Sequence, residues 1–484
     1  MSKRPLTGFK IAAPSTVTVG EEFPLKIKAL TEPYQAPVQC YRKFPRLASP
    51  FNLSPRGIHY LDNAAERWEG VLEIEGPRGP AEIDCADLAG TFPGDDRAIG
   101  EIEGFSFDEE GVQFIRIRDP KTGISGESNP ICVTAEPLEY RLYWGDLHSQ
   151  TFFSDGLRCP EELYHFARHE GFLDIFALAD HAEHITDRQW EYFVNVTNDW
   201  NRAGEYVTVV GLEWTNSGIG HRNLYYPGDW GPIVRSSEAS AEDLERLYDA
   251  AREHGGLLIP HHSANVTMGV KWDVGYEPEH ERLVEIYSVW GNSERPAAQG
   301  NPRPIRTLGG EQEGQHVIDA LARGYRFGFV GGGDIHDGRP GDELHHLQEV
   351  PEQYRNLRRQ GIMGVWAREL TREAIWEALW ERRCFATTNV RVPVRFEVCG
   401  SFMGGSVQTS EARSMKVWAV SEVPIVRTEI VKNGEDHFIR EGAARIHEWE
   451  FEDAASEASD YYYARITRQD GEMAWSSPVW VNLR

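Results

Sequence analysis

Five apolar segments of the sequence end in residues that can bind divalent metal ions. These segments end at His148, His181, Glu213, His261 and Asp334. Imidazole and carboxylate groups are ligands that zinc, manganese and iron accept in proteins. A single residue of this kind at the end of a strand is more often structural, but its recurrence at five segments predicts a metal centre.

The spacing around these segment ends adds detail. His148 and Gln150 are two positions apart, as are Asp334 and His336. Residues two positions apart on a strand point to the same face, so each pair is expected to face one site. A centre of two or three ions also needs a carboxylate that bridges them, and Glu213 is the best-placed candidate.

These residues lie in the central part of the chain, where strand-like and helix-like segments alternate. Of the 17 histidines, 14 fall between residues 139 and 389. Seven strand candidates with intervening helical periodicity predict a closed or nearly closed parallel barrel, with reactive groups at the C-terminal ends of its strands. The predicted strands are 142–147, 174–180, 206–213, 256–260, 283–289, 326–331 and 361–366, and the predicted helices are 160–170, 186–203, 241–254, 314–323 and 371–382.

The segments on either side of this barrel have the pattern of β structure. Residues 1–138 contain short alternating runs separated by glycine, proline and aspartate turns, which predicts a β-sandwich-like domain. The same pattern returns between residues 390 and 484 and predicts a second, smaller β domain. The expected organisation is therefore three domains, 1–138, 139–389 and 390–484.

In its motifs the sequence resembles the PHP (polymerase and histidinol phosphatase) superfamily. The motifs are Asp146-Leu147-His148-Ser149-Gln150-Thr151 with Ser154-Asp155-Gly156, Asp180-His181, Glu213 with His221, and Asp334-Ile335-His336. A resemblance to the branch that includes carbaryl-hydrolase-like enzymes is carried by Glu213-Trp214-Thr215, Arg383-Cys384-Phe385 and Ala474-Trp475-Ser476. The resemblance implies an α/β fold, a distorted (β/α)7 PHP-type barrel with β-sandwich-like domains on both sides. It also implies a cofactor of two or three divalent ions (zinc, manganese or iron).

The resemblance also implies which residues bind each ion. His148, Gln150, Glu213 and Asp334 would hold the first ion; Glu213, His221 and His261 the second; and Asp155, His181 and His336 the third. The superfamily usually has histidine where this chain has Gln150. Because an amide oxygen is a poorer ligand for zinc than imidazole, we expect the first site to be weak or empty. An alternative role, in which Gln150 only hydrogen-bonds a ligand, stays open.

Two consecutive histidines, His261 and His262, follow the strand predicted at 256–260. Neighbours on a strand point to opposite faces, so one of them is expected to be the ligand. We favour His261 as the ligand and His262 as its hydrogen-bonding partner or as a proton donor. His184, His262 and Arg222 are the candidates for protonating the leaving group. A contact at a helix start for His184 and a salt bridge for Arg222 are the structural alternatives.

The predicted activity is hydrolysis by a metal-bound hydroxide, which needs no serine or cysteine nucleophile. Cations near the motifs are few, namely Arg222, Lys271 and Arg339. Aromatic residues are more plentiful there: Phe152, Phe153, Trp214, Trp272 and Trp290. This favours a neutral or aryl carboxyl ester or carbamate as substrate over a phosphoester, whose oxygens need cations. A phosphoesterase and a noncatalytic, metal-stabilised binding protein are the alternatives.

The composition limits the classes of partner. The 484 residues include 50 Lys and Arg against 76 Asp and Glu, a net charge of −26, which disfavours nucleic acid and anionic membranes. The basic start, Met1–Pro5, is not followed by an apolar run, and no run could span a membrane, so we expect a cytoplasmic protein acting on a small molecule. The six cysteines contain no Cys-x-x-Cys pair and predict reduced thiols. Homo-oligomerisation through the β domains is left open.

Overall fold

The computed structural model describes residues 4–35, 61–342 and 359–482. Strand is the main secondary structure of this part of the chain, at 41% against 14% for helix. The described residues contain five α-helices: α1 Pro160–His169, α2 Asp187–Trp200, α3 Ala241–His254, α4 Val317–Ala322 and α5 Arg372–Trp380. Each of these helices falls within one of the segments predicted as helical.

The N-terminal part of the chain folds as three small sheets around a shared apolar core. Its strands are β1 Leu6–Ala12, β2 Thr16–Thr18, β3 Phe23–Gln35, β4 Leu61–Ala64, β5 Val71–Glu75, β6 Glu82–Asp84, β7 Ile99–Phe105, β8 Gly111–Gln113, β9 Arg116–Arg118, β10 Ser125–Glu127 and β11 Ile131–Thr134. Strand β3 pairs with β1, β4 and β7; the other sheets have the orders β10-β9-β5-β6 and β2-β11-β8. Leu25, Ile27, Phe105 and Ile117 lie in the core between them.

The remaining strands belong to the central and C-terminal parts of the chain. The central strands are β12 Arg141–Asp146, β13 Ile175–Ala177, β14 Val207–Trp214, β15 Arg222–Tyr226, β16 Leu257–Pro260, β17 Leu283–Ser288, β18 Gly291–Asn292, β19 Gly328–Gly331, β20 Ile362–Ala367 and β21 Cys384–Thr387. The C-terminal strands are β22 Val394–Val398, β23 Ser401–Phe402, β24 Ser406–Gln408, β25 Arg413–Lys432, β26 Glu435–Asp453, β27 Asp460–Arg468, β28 Met473–Ser476 and β29 Val479–Asn482.

The prediction of an α/β fold built on a (β/α)7 barrel with flanking β-sandwich-like domains is wrong. Among the described central strands, parallel pairing is confined to β12 with β13, β13 with β14, and β17 with β19. Strand β14 instead turns back into antiparallel β15, which pairs antiparallel with β16. Strand β20 is antiparallel to both β12 and β21, and β21 continues through β28 into the C-terminal strands. Strands β12–β16, β20 and β21 thus share one mixed sheet with the C-terminal strands, which the alternating pattern did not predict, and β17, β18 and β19 form a separate sheet.

The helices begin and end where local side-chain chemistry favours it. Thr186 accepts a hydrogen bond from the backbone of Gln189 and forms a capping box at the start of α2. Ser240 caps α3, which ends at Gly255 in the left-handed conformation that glycine adopts without strain. The parallel pairing of β12, β13 and β14 brings the C-terminal ends of these three strands to one side. None of the helices in the described ranges is long and apolar enough to cross a membrane.

Candidate metal centre

Glu213 lies at the centre of a buried cluster of ligand-type side chains. It sits near the end of β14, a strand whose residues are all buried. Its Oε1 is 2.8 Å from Nδ1 of His221 and 3.2 Å from Nε2 of His261. Its Oε2 is 2.9 Å from Nε2 of Gln150 and 3.3 Å from Nδ1 of His181. One carboxylate therefore touches groups from four parts of the chain, which is the arrangement that a bridging ligand requires.

A second group of side chains surrounds the end of β12. Nε2 of His148 lies 3.4 Å from Oε2 of Glu213 and 3.5 Å from Oδ1 of Asp334. The amide nitrogen of Gln150 is 3.1 Å from the same imidazole nitrogen and 3.4 Å from Asp334. Rotating this amide by half a turn about its terminal bond would place Oε1 where the nitrogen now lies. Oε1 is a buried atom without a hydrogen-bond partner. Gln150 therefore faces the site, as the spacing predicted.

The third group contains Asp155, His181 and His336. Oδ1 of Asp155 lies 3.3 Å from Nε2 of His181 and 3.1 Å from Nε2 of His336. Asp155 follows a tight loop in which Thr151 and Ser154 both donate hydrogen bonds to Asp180. Because Asp180 lies just beyond β13, the loop is anchored beside the end of that strand.

His261 and His262 both face the cluster, contrary to the prediction that only one of them would. Strand β16 ends at Pro260, and His262 has a φ of 31°, so strand alternation no longer governs the two side chains. Together with Glu213 and His221, both imidazoles have ligand atoms within 4.8 Å of one another. Asp334 also has a positive φ, of 45°. Such conformations cost about 1–3 kcal/mol each and gather at functional sites.

The electrostatics of the cluster keep its carboxylates ionised and His262 neutral. Burial acts to raise the pKa of the Glu213 carboxyl, but the imidazoles of His181 and His261 lower it well below its ordinary value. His336 and His181 likewise lower the pKa of Asp155 against the effect of burial. Burial and the neighbouring histidines lower the pKa of His262. The carboxylates of the cluster raise the pKa of His148 and of His181 well above the ordinary imidazole value against the effect of burial, so binding of a metal ion would release protons from these two residues.

The residues fit a centre of two or three divalent cations. All nine predicted ligands fall within one connected cluster, and three subsets of it have the separations that metal binding needs. Buried polar atoms normally have hydrogen-bond partners. Here Oδ2 of Asp334, Nε2 of His221 and Oε1 of Gln150 have none. A cation bound among these groups would be coordinated by lone pairs that have no hydrogen-bond partner within the protein.

The other predicted catalytic residues lie in different environments. His184 is exposed beside the cluster, with its ring centroid 5.3 Å from that of His181. Arg222 is buried and donates from Nε to Oε1 of Glu281 at 2.5 Å, with further bonds to backbone carbonyls. It therefore has the salt-bridge role that was the structural alternative.

The sequence predicted no role for two buried carboxylates, Glu285, which contacts the first motif, and Asp146, which begins it. Oε2 of Glu285 lies 2.9 Å from Nδ1 of His148, and Oδ1 of Asp146 accepts hydrogen bonds from the backbone N–H groups of His148 and Gly333. A signal was present for Glu285, because it is the charged residue in the otherwise uncharged run Leu283–Ser288.

Comparison with known sequences gives relatives without an assigned activity. A protein family described as "Protein of unknown function (DUF3604)" matches residues 318–421. A protein of Chlamydia trachomatis serovar D, described as uncharacterized, is 28% identical over 400 residues, or 78% of this chain and 63% of the relative. An uncharacterized protein of Chlamydia muridarum is 27% identical with the same coverage. The match thus spans less than two thirds of the length of these relatives.

Comparison with solved structures gives only weak similarity. A calcium-binding mutant of Bacteroides uniformis β-glucuronidase 2 is 9% identical, with a TM-score of 0.17 over 99% of this chain and 61% of that one. A β-glucuronidase of Parabacteroides merdae is 7% identical, with a TM-score of 0.18 over 99% of this chain and 66% of that one. These scores are too low to indicate a common fold.

Proposed function

We propose that the protein is a metal-dependent hydrolase with two or three divalent ions, either zinc, manganese or iron. The observation that carries this proposal is the contact of the single Glu213 carboxylate with His148, Gln150, His181, His221 and His261. Ions bound there would supply Lewis acidity and an activated water to the reaction. The motif resemblance to the PHP superfamily supports the same chemistry.

The side chains of the cluster divide the remaining tasks. Glu213 and Asp334 provide the negative charge that holds the cations close together. His184 is exposed beside His181, so it can reach a substrate and donate a proton to its leaving group. His262 is buried and has a ligand atom near those of Glu213 and His221, which favours a role as ligand over a role as proton donor.

The substrate class that the site favours is a carboxyl ester or carbamate. Phosphoryl oxygens are usually held by cations that are free to bind them. Arg222 is bound to Glu281, Arg339 pairs with Asp337 and Asp342, and Lys271 is exposed. Two of the three cations that the sequence placed near the ions are therefore already paired with carboxylates, and of the three only the exposed Lys271 remains to hold a phosphoryl oxygen.

Fewer aromatic residues support an aryl or alkyl substrate than the sequence suggested. Trp214, Trp272 and Trp290 are buried and belong to the core. Phe152, in contrast, is 47% exposed and stacks on Phe153 at 4.3 Å. Because Phe152 follows Gln150 by two residues, it can present an apolar ring to an aryl or alkyl group of the substrate.

A metal assay combined with a substrate panel tests the proposal. The full-length protein is analysed for bound metal and then assayed with p-nitrophenyl acetate, an aryl N-methylcarbamate, p-nitrophenyl phosphate and bis-p-nitrophenyl phosphate, before and after chelation. We expect bound metal and a kcat/KM at least tenfold higher for the ester or carbamate. A higher kcat/KM for either phosphoester would establish the phosphoesterase alternative. Metal without turnover would favour a binding protein, and absence of metal binding would overturn the proposal.

A further inference from the structure

We propose that Glu285 is a positioning residue for the first ion, and that it compensates for the weakly coordinating amide of Gln150 by making His148 a better ligand. This inference rests on the proposed metal centre. It concerns a residue of β17 that lies outside the ligand set, on the far side of His148 from Glu213 and Asp334. Its effect on the ion would be transmitted through the imidazole of His148.

The geometry places the two nitrogens of His148 in different environments. Nδ1 is 2.9 Å from Oε2 of Glu285, whereas Nε2 faces Glu213 and Asp334 at 3.4 and 3.5 Å. A neutral imidazole carries its proton on one nitrogen and offers a lone pair from the other. A carboxylate at Nδ1 fixes the proton there, so the lone pair of Nε2 points to the ion site.

Glu285 differs from Glu213, the carboxylate beside Nδ1 of His181 and of His221, because Glu213 is itself a candidate ligand and Glu285 is not. Nδ1 of His336 lies 3.1 Å from the backbone carbonyl of Asp334, and Nδ1 of His181 lies 2.6 Å from the hydroxyl of Thr215. Both of these partners are neutral groups. A carboxylate partner raises the basicity of the opposite nitrogen more strongly, which makes His148 a better ligand.

The backbone near Glu285 is shaped to leave room for its carboxylate. A Cβ atom at position 332 would lie 1.9 Å from Oε2 of Glu285 and 3.2 Å from Cβ of His148. Gly332 has no positive φ, so space rather than backbone conformation requires glycine here. The residue just beyond β19 therefore accommodates the contact between Glu285 and His148.

The cost of burying Glu285 also indicates a role beyond stability. Its side chain is 3% exposed, and Oε1 has no hydrogen-bond partner. Burying a carboxylate that is poorly hydrogen-bonded destabilises the folded state. A cation on the opposite side of His148 would offset this cost.

Zinc affinity in matched variants tests the inference. Glu285→Gln is compared with Glu277→Gln, a buried glutamate that precedes β17 and pairs with the partly exposed Arg252. Each full-length protein is stripped of metal, checked by circular dichroism and titrated with Zn²⁺ against a chromophoric chelator. We expect the affinity of one site to fall roughly 10- to 100-fold in Glu285→Gln and to change less than about threefold in the control. Should Glu285→Gln fail to fold, Glu285→Asp, which keeps the charge but moves it away, is expected to lose at least about threefold.

Rescue by Gln150→His separates positioning from a general structural effect. If Glu285 compensates for the amide, adding Gln150→His to Glu285→Gln should restore zinc affinity by about tenfold or more, because imidazole is the better ligand. If the wild type binds zinc but Glu285→Gln binds it with unchanged affinity, this inference alone is overturned. The same holds if the double variant shows no rescue. Failure of the wild type to bind zinc, manganese or iron overturns the metal centre as well.

Discussion

Oε1 of Glu213 lies 2.8 Å from Nδ1 of His221, and the turn from β14 into β15 makes this contact. Glu213 is near the end of one strand, and His221 immediately precedes the next. Gly220 allows the turn to form, because its φ is +105° and a Cβ there would lie 2.4 Å from Cα of Val270. Two residues of the centre are thus fixed by one local turn, and the Glu213 carboxylate also contacts His148, Gln150, His181 and His261.

The first prediction is that Glu213→Gln abolishes hydrolysis and most metal binding while the fold is kept. Glutamine has nearly the same shape but lacks the negative charge that brings two cations together. Elemental analysis and kcat/KM on the best substrate of the panel measure both losses, and circular dichroism reports the fold. Glu242→Gln, an exposed glutamate of α3, is the matched control. Near-normal activity with unchanged metal content in Glu213→Gln would remove Glu213 from the centre.

The second prediction is that removing the metal lowers the thermal stability of the wild type. A ligand that binds only the folded state stabilises it by about 2.7 kcal/mol when its free concentration is 100 times Kd. Calorimetry with Zn²⁺ and with a chelator should therefore give a higher Tm with the metal. Glu213→Gln should show little of this difference. Equal Tm values for the wild type under both conditions would argue against a specific site.

The third prediction is that Gln150→His retains metal more strongly than the wild type. The amide of Gln150 lies among His148, Glu213 and Asp334, so an imidazole at this position can reach the same ion. The wild type should release one ion to mild chelation before the others, and the variant should not. The rate of hydrolysis can change in either direction, since a new ligand steadies the ion but can also fill the position that the substrate needs. Equal chelator sensitivity in both proteins would indicate that Gln150 only hydrogen-bonds its neighbours.

The clustering of the candidate ligands could be foreseen from the sequence, but the fold around them could not. Ligand-type residues at the ends of apolar segments are local signals, and strands β12, β13 and β14 do run parallel and bring their ends together. The sequence did not predict the short strand Arg222–Tyr226, which pairs antiparallel with β14 and so ends the parallel part of the sheet. Periodicity identifies a strand but says nothing about its direction. The assumption of βα repeats therefore predicted a barrel that the structure does not have, although the ligand-type residues do lie close together at the ends of strands.

His261 and His262 show where the rule of alternating strand faces fails. The rule holds only inside a strand, and β16 ends one residue before His261. The positive φ of His262 then turns its side chain back toward the cluster. Nothing in the local sequence marks His262 as left-handed, so the position of its imidazole required the three-dimensional structure.

The fourth prediction is that Arg222→Met affects stability and has little effect on the chemistry. Arg222 and Glu281 are both fully buried, and removing one partner of a buried ion pair costs about 3–5 kcal/mol. Urea denaturation should show this loss, and the double variant Arg222→Met with Glu281→Gln should recover part of it. The kcat per bound metal should stay within a few-fold of the wild type. A large fall in kcat with unchanged stability would restore Arg222 as a catalytic candidate.

The fifth prediction concerns Asp95, which binds Arg97, the residue that links the N-terminal part of the chain to the end of α1. Burial acts to raise the pKa of its carboxyl, but hydrogen bonds from Arg97 and from the backbone of Thr91 lower it to about 2. Arg97 also donates to Glu170, the residue that follows α1. Hydrogen bonds to charged groups contribute roughly 1.5–3 kcal/mol, so Asp95→Asn should lower the free energy of unfolding by about this amount at neutral pH.

The pH dependence of this effect gives the stricter test. Because the folded pKa of Asp95 lies below the ordinary value of 3.8, its carboxylate stabilises the fold fully above about pH 4. This contribution is lost as the pH falls toward about 2, where the carboxyl becomes protonated in the folded state as well. Urea denaturation at pH 7, 4 and 3 should therefore show a difference between wild type and Asp95→Asn that is constant down to about pH 4 and shrinks below it. Asp96→Asn, at the exposed neighbouring position, should stay within about 0.5 kcal/mol of the wild type throughout. A difference for Asp95→Asn that persists unchanged at pH 3 would show that the ionised carboxylate is not its source.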